Sequence, residues 1–307
     1  MTLQRDGAPW WPGWRVTAEL VRLPAALSVP GDVLAGAAVG RWPFGRRTAG
    51  LVGSSICLYW AGMALNDWAD QEEDAEHRPW RPIPSGRVPA RSALYLAVAL
   101  TSTGVGLARV AGGRAALRTA LALAGTVWAY DLGAKRTRAG PAVMAAARGL
   151  NVLLGCSGVA AVIPAATVAG HTAAVTAISA HEVDGGPAAR RVARAALAGT
   201  AAVAAVVSVA GTAAPVQLAG SRARADADRI AGAVLTAAYA ADVGRAQLAA
   251  VRDPTPAIVQ RAVSTGILGL IPLQASLLAS AGAAPLVCAL ATLWPLARRL
   301  SRRVSPT

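Results

Sequence analysis

Charge is scarce in this sequence: 15% of its 307 residues are Asp, Glu, Lys or Arg, while 54% are hydrophobic. Soluble domains carry about 25% charged residues. An ordinary soluble globule is therefore excluded, and so is a pair of them, because the apolar bias runs evenly from end to end. Acidic residues are the rarer kind, 16 against 30 basic ones. Residues 195–221 contain no acid at all, and 141–170 contain one cation, Arg148. An Ala-rich soluble helical bundle would need a charged outer face on each helix, and these stretches cannot supply one. Cysteine is limited to Cys57, Cys156 and Cys288, each alone in an apolar segment. That excludes a disulfide framework and a zinc site, and leaves small core residues. No Ser/His/Asp nucleophile arrangement, P-loop or glycine-rich dinucleotide fingerprint is present.

What the sequence has instead is apolar stretches of membrane-spanning length, which need about 20 residues each. They fall at about 19–40, 48–65, 90–111, 114–130, 141–163, 165–181, 191–213, 228–250, 258–281 and 284–298. Nine or ten spans with short connections predict one all-α integral membrane bundle over residues 1–307, with 1–18 as an interfacial leader and 299–307 as a cytoplasmic tail. Trp10, Trp11 and Trp14 beside Pro12 suit an interfacial anchor rather than a cleavable signal peptide.

The net charge of +14 would suggest nucleic acid in a soluble protein. Here the cations sit in the connections, which points to the positive-inside rule and to no nucleic-acid partner. Placing the N-terminus inside leaves Arg5, Arg15 and Arg22, Arg78 to Arg91, Lys135 to Arg138 and Arg190 to Arg194 on the cytoplasmic side. Arg298, Arg299, Arg302 and Arg303 also favour that side, which requires an even number of spans and supports a short tenth helix at 284–298.

The chemistry lies in Asn66-Asp67-Trp68-Ala69-Asp70-Gln71-Glu72-Glu73-Asp74. Asp67, Asp70 and Asp74 are spaced i, i+3, i+7, which puts them within about 60° of arc on a helix, with Asn66 beside them. Three like charges on one face call for a cation, and hard carboxylate oxygens suit Mg²⁺. The following His77-Arg78-Pro79-Trp80-Arg81-Pro82 packs cations next to the acids, as a diphosphate site needs.

Two more polar motifs, Tyr130-Asp131-Leu132-Gly133-Ala134-Lys135 and His181-Glu182-Val183-Asp184-Gly185-Gly186, end the fourth and sixth spans. All three motifs thus follow even-numbered spans and emerge on one membrane face, where they can form one composite site. Lys135 is the single lysine among 30 basic residues, which suits a compact ammonium on a phosphate oxygen. Arg148 and Asn151 lie inside the fifth span and face the bundle interior or a wet cavity, where they can reach a diphosphate or cap the cavity. Asp32 in the first span is similar. His171 reads as a packing residue.

Asn66-Asp67-x-x-Asp70-x-x-x-Asp74 followed by Arg78-Pro79-x-Arg81-Pro82-Ile83-Pro84-Ser85-Gly86 resembles the first signature of the UbiA superfamily of intramembrane prenyltransferases. Tyr130…Lys135 resembles that family's second conserved loop. The resemblance implies nine helices around a cavity open laterally to lipid, with Mg²⁺ bound by two acidic motifs. It further implies transfer of a prenyl group from an isoprenoid diphosphate to an aromatic or other electron-rich small-molecule acceptor in the cell membrane, with the site loops cytoplasmic. Asp67, Asp70, Asp74 and Lys135 would be catalytic. Asn66, Arg78, Tyr130, Lys135, Arg148 and Asn151 would bind the diphosphate, and Glu182 and Asp184 would join the first three aspartates as metal ligands.

One departure stands out. The family's second acidic motif carries aspartates four residues apart, whereas position 186 here is Gly. Glu182 and Asp184 point almost oppositely on a helix, so both can serve one site only if the Gly185-Gly186 pair unwinds it. The Glu-Val-x-Gly-Gly pattern with Ile271-Pro272-Leu273-Gln274-Ala275 is similar to the divergent EboC-like branch. The weakened motif also admits a non-catalytic membrane protein that binds or carries a prenylated lipid.

Overall fold

The computed structural model describes residues 13–22, 26, 28–41, 44–212 and 222–301, and among them every regular element is helical. The order is α1 (Trp14–Leu20), α2 (Pro30–Val39), α3 (Arg46–Ala69), α4 (Gln71–His77), α5 (Ala90–Leu132), α6 (Gly140–Gly155), α7 (Val162–Ser179), α8 (Gly186–Thr212), α9 (Arg222–Arg252), α10 (Pro256–Ser280) and α11 (Ala284–Ser301). Five helical segments are long and apolar enough to cross a membrane: 46–69, 90–132, 159–179, 186–211 and 256–280.

The helix α5 has 43 residues, about 65 Å at 1.5 Å per residue, twice a bilayer core. It serves as two arms because Gly113 leaves the helical region at φ 70°, ψ −155°. That conformation suits glycine, which lacks the Cβ that would clash there. Ala108 from the first arm and Ala116, Ala120 and Leu123 from the second pack into one core with Leu51 and Leu58 of α3 and Leu154 of α6. The two apolar stretches expected at 90–111 and 114–130 are these arms.

Two expected spans are broken. The stretch 19–40 is not one helix. The helix α1 stops at Leu20, Arg22 takes φ 48°, and α2 starts afresh at Pro30, whose ring is favoured in a first turn and cannot continue a preceding helix. The stretch 141–163 also ends early, with Cys156 extended after α6. At this point α6 crosses α2 closely. A Cβ on Gly155 would collide with the Val33 carbonyl oxygen of α2, and one on Gly36 with the Val152 carbonyl oxygen of α6. The span expected at 228–250 begins earlier, at Arg222, within α9. The leader's Trp10 and Trp11 and the tail beyond Ser301 lie outside the described residues, while Trp14 opens α1 and is exposed.

The crossing of α2 and α6 gives a direct test. Gly155→Val should lower the thermal unfolding midpoint in detergent, in line with a cost of about 1–3 kcal/mol for overpacking, whereas Gly125→Val, at a position with open space, should leave it nearly unchanged.

Candidate functional site

The acidic motif lies where α3 passes into α4. Helical bonding runs through the junction, with the Asp70 N–H donating to the Asn66 carbonyl at 2.9 Å and the Asp74 N–H to the Asp70 carbonyl at 2.8 Å. The three aspartates therefore keep the shared face expected from their spacing. Asp67 and Asp74 are buried, and Asp70 is half-buried. Prolines 79, 82 and 84 end the helical run, and the chain turns back so that Arg78 and Arg81 reach the acids. The turn is closed by the Ser85 hydroxyl donating to the Arg81 carbonyl at 2.6 Å and fastened to α1 by a bidentate Arg87–Glu19 pair at 2.6 and 2.9 Å.

One nitrogen holds two carboxylates together: Arg81 Nη1 lies 2.7 Å from Asp74 Oδ2 and 3.3 Å from Asp67 Oδ1. Arg22, freed by the break after α1, pairs with Asp67 at 3.3 Å, and Arg78 pairs with Asp74 at 3.4 Å. Lys135 Nζ donates to Asp70 at 2.7 Å and lies 4.0 Å from Asp131, while Arg136 adds a contact to Asp70 at 3.1 Å. Asn66 Nδ2 bridges Asp70 and Asp131 at 3.1 and 3.2 Å. The first two motifs thus form one charge network across α3, α4 and the end of α5.

The third motif joins through a cavity of about 430 Å³ whose lining includes Asn66, Asp70, Arg78, Tyr130, Arg148 and Glu182. The loop between α7 and α8 closes through glycine. Gly185 and Gly186 have φ of 62° and 79°, and a Cβ on Gly185 would strike the Pro254 carbonyl, which accepts the Gly186 N–H at 2.8 Å. The unwinding expected here is present, yet it brings only one acid inward. Glu182 lines the cavity and its Oε2 is buried without a partner. Burial raises its carboxyl above the usual range, opposed by the Arg78 charge. Asp184 is exposed and does not line the cavity, so its expected place beside Glu182 is not the one observed. The reason is its position on the outward side of the same turn.

Arg148 lines this cavity, whereas Asn151 does not. Both are engaged by Asp32: Arg148 Nε at 3.2 Å and Asn151 Nδ2 at 2.9 Å. Asn151 also accepts from Ser55 at 2.6 Å. They line a second, inner chamber of about 310 Å³, which shares Arg22, Tyr59, Met63, Asn66, Tyr130, Met144 and Arg148 with the first. His171 packs as expected, buried between the Tyr239 hydroxyl at 2.9 Å and the Gly266 carbonyl at 3.0 Å.

Among the described residues, no three acidic, His or Cys side chains are gathered at metal-binding geometry. The donor set nevertheless fits a hard divalent cation. Asp67 and Asp74 already converge on one positive nitrogen, and Glu182 presents an unpartnered buried oxygen near the cavity that it and Asp70 both line. Oxygen-only carboxylate ligands of this kind suit Mg²⁺.

The model of the UbiA prenyltransferase family matches residues 27–306, and the chain belongs to that family. Its fold resembles a solved structure of digeranylgeranylglyceryl phosphate synthase, with a TM-score of 0.62 at 15% identity over 87% of this chain and 98% of the other. It also resembles a UbiA homologue from Aeropyrum pernix K1, with a TM-score of 0.60 at 21% identity over 82% and 96%. The chain is thus a multi-pass helical membrane protein of this fold. Among sequence relatives, it is 46% identical over 87 residues to the digeranylgeranylglyceryl phosphate synthase of Methanopyrus kandleri, covering 28% of this chain and 30% of that one. It is 43% identical over 63 residues to the bacteriochlorophyll synthase 33 kDa chain of Cereibacter sphaeroides, 20% of each. These matches therefore span less than a third of the curated relatives.

The bridge at Arg81 yields a test that needs no turnover. Arg81→Met leaves Asp67 and Asp74 facing each other without their shared cation, a change of the kind that costs about 3–5 kcal/mol for buried pairs. Its unfolding midpoint should fall, and Mg²⁺ should raise it more than it raises that of the parent chain. An Arg81→Met midpoint insensitive to Mg²⁺ would show that the acids do not form a cation site.

Proposed function

We propose that this protein transfers a prenyl group from an isoprenoid diphosphate to an electron-rich small-molecule acceptor within the membrane. The observation that supports this most is the charge balance of the outer cavity. Arg22, Arg78 and Arg81, paired with Asp67 and Asp74, line it beside the carboxylates Asp70 and Glu182, with Lys135 bonded to Asp70 next to it. Forked donors interleaved with convergent acids match a diphosphate accompanied by a divalent ion.

Asp67, Asp70 and Asp74, with Glu182 across the cavity, would hold the ion. Mg²⁺ bound there supplies charge stabilisation for the phosphate oxygens. Arg78, Arg81 and Lys135 donate to those oxygens, and Tyr130 stands beside them in the lining. Donors fixed where negative charge builds on the departing diphosphate favour cleavage of the allylic C–O bond. The apolar walls, among them Leu58, Met63, Leu123, Val127 and Met144, exclude water from the resulting allylic cation until an acceptor carbon attacks it and loses a proton. Asn66 orients the system by joining Asp70 to Asp131. The cation-rich connections support a cell-membrane location with this mouth on the cytoplasmic side.

The outward Asp184 supports a second reading, a carrier that binds a prenylated lipid without chemistry. Diphosphate release from labelled geranylgeranyl or farnesyl diphosphate, with and without Mg²⁺, separates the two. The transferase reading expects Mg²⁺-dependent release that Asp67→Ala and Asp70→Ala each reduce by roughly 10²–10³-fold or more, the scale seen on losing a charge-stabilising group. Asp184→Ala should stay within about threefold of the parent chain, because such an exposed side chain touches nothing in the cavity. Tight binding without release would establish the carrier.

A further inference from the structure

We propose that the inner chamber selects an acceptor presenting an uncharged oxygen (an alcohol, phenol or carbonyl) to Arg148, and that Asp32 enforces the choice by neutralising the guanidinium. This deepens the transferase reading and rests on it for the acceptor's role. Asp32 is fully buried in the first turn of α2. Its Oδ1 accepts from Gln274 Nε2 of α10 at 2.6 Å, and its Oδ2 accepts from Asn151 Nδ2 at 2.9 Å with Arg148 Nε at 3.2 Å. Every group facing the carboxyl is a donor, so a protonated acid would find no acceptor for its O–H. The ionised form fits, and it cancels the Arg148 charge one for one.

The mouth is built differently. There Arg78 and Arg81 share Asp74, and Arg22 and Arg81 share Asp67, so cations outnumber the acids they hold. An anion at Arg148 would have to compete with a carboxylate that two amides fix in place. A neutral oxygen needs only a donor, and Arg148 Nη2 is buried without a protein partner, a state that favours a ligand atom. Ser55, Tyr59 and Asn151 stand beside Arg148, and Arg22, Asn66, Tyr130 and Asp131 also line the chamber, whose remaining wall is apolar, the pattern of a site for a small, largely apolar molecule with a few placed polar groups. If the cluster served only to clip α2 to α6 and α10, changing it would alter stability and leave ligand choice unmoved.

Benzamide and benzoate share a ring and nearly a size and differ in charge, which makes them suitable probes. Their binding to the full chain in detergent, with Mg²⁺ and inorganic diphosphate present, can be measured by isothermal titration calorimetry. The parent chain should bind benzamide about tenfold or more tightly than benzoate, the scale of one hydrogen bond to a charged group. Asp32→Asn, with Arg148 no longer neutralised, should erase or reverse that preference. Equal binding of the two probes by the parent chain, tighter binding of benzoate, or a preference unchanged in folded Asp32→Asn each overturns the proposal. If Asp32→Asn does not unfold cooperatively, the parent ratio decides alone. Diphosphate release is scored separately: its absence with the benzamide preference intact defeats the transferase reading and leaves the chamber's ligand class standing.

Discussion

Two buried carboxylates that point at one nitrogen are tolerable only while that nitrogen is positive. Asp67 and Asp74 stand in this relation to Arg81, and much of the surrounding architecture exists to supply cations there. The break after α1 lets Arg22 reach Asp67, the proline-rich turn after α4 folds Arg78 and Arg81 back, and the end of α5 delivers Lys135 to Asp70. In a medium poor in water the Coulomb terms among these groups are strong. The same feature makes the mouth stable in isolation and receptive to a ligand that brings its own charges.

Below the mouth the bundle changes character. The outer cavity is edged by many charges, whereas the inner chamber is lined mainly by apolar and small residues, with Arg22 and Asp131 among its polar lining and Arg148 compensated by Asp32. The two spaces share seven lining residues, from Arg22 to Arg148, so a charged group at the mouth and an apolar group within lie along one continuous volume. Glycines at the crossing of α2 and α6 bring the Asp32-bearing half-helix close enough for this pairing.

The helix period made the acid face legible, because Asp67, Asp70 and Asp74 need nothing but 3.6 residues per turn to align. The lone lysine signalled Lys135, and Gly185-Gly186 signalled the unwound turn. The even-numbered spacing of motifs along the spans indicated that the three would meet, and Asp70 both pairs with Lys135 and lines one cavity with Glu182. Tertiary pairing stayed hidden. Nothing local marks Arg22 as a partner of Asp67, Arg81 as a bridge, or Gln274 as a ligand of Asp32 across 242 positions. Both asparagines of the chain lie in such pairings, Asn66 with Asp131 and Asn151 with Asp32. The outward face of Asp184 depended on which way the unwound turn closed, and that was set by Pro254 on a distant connection. The broken first span misled because hydropathy counts apolar residues and is blind to a backbone turn at Arg22.

A structure of the full chain with Mg²⁺ and a non-cleavable prenyl diphosphate tests the central claim most directly. The account predicts a metal ion about 2.1 Å from oxygens of Asp67, Asp70 or Asp74, with the diphosphate between that ion and Arg78, Arg81 and Lys135. A diphosphate lodged elsewhere, with Arg81 still bridging Asp67 and Asp74, would contradict it.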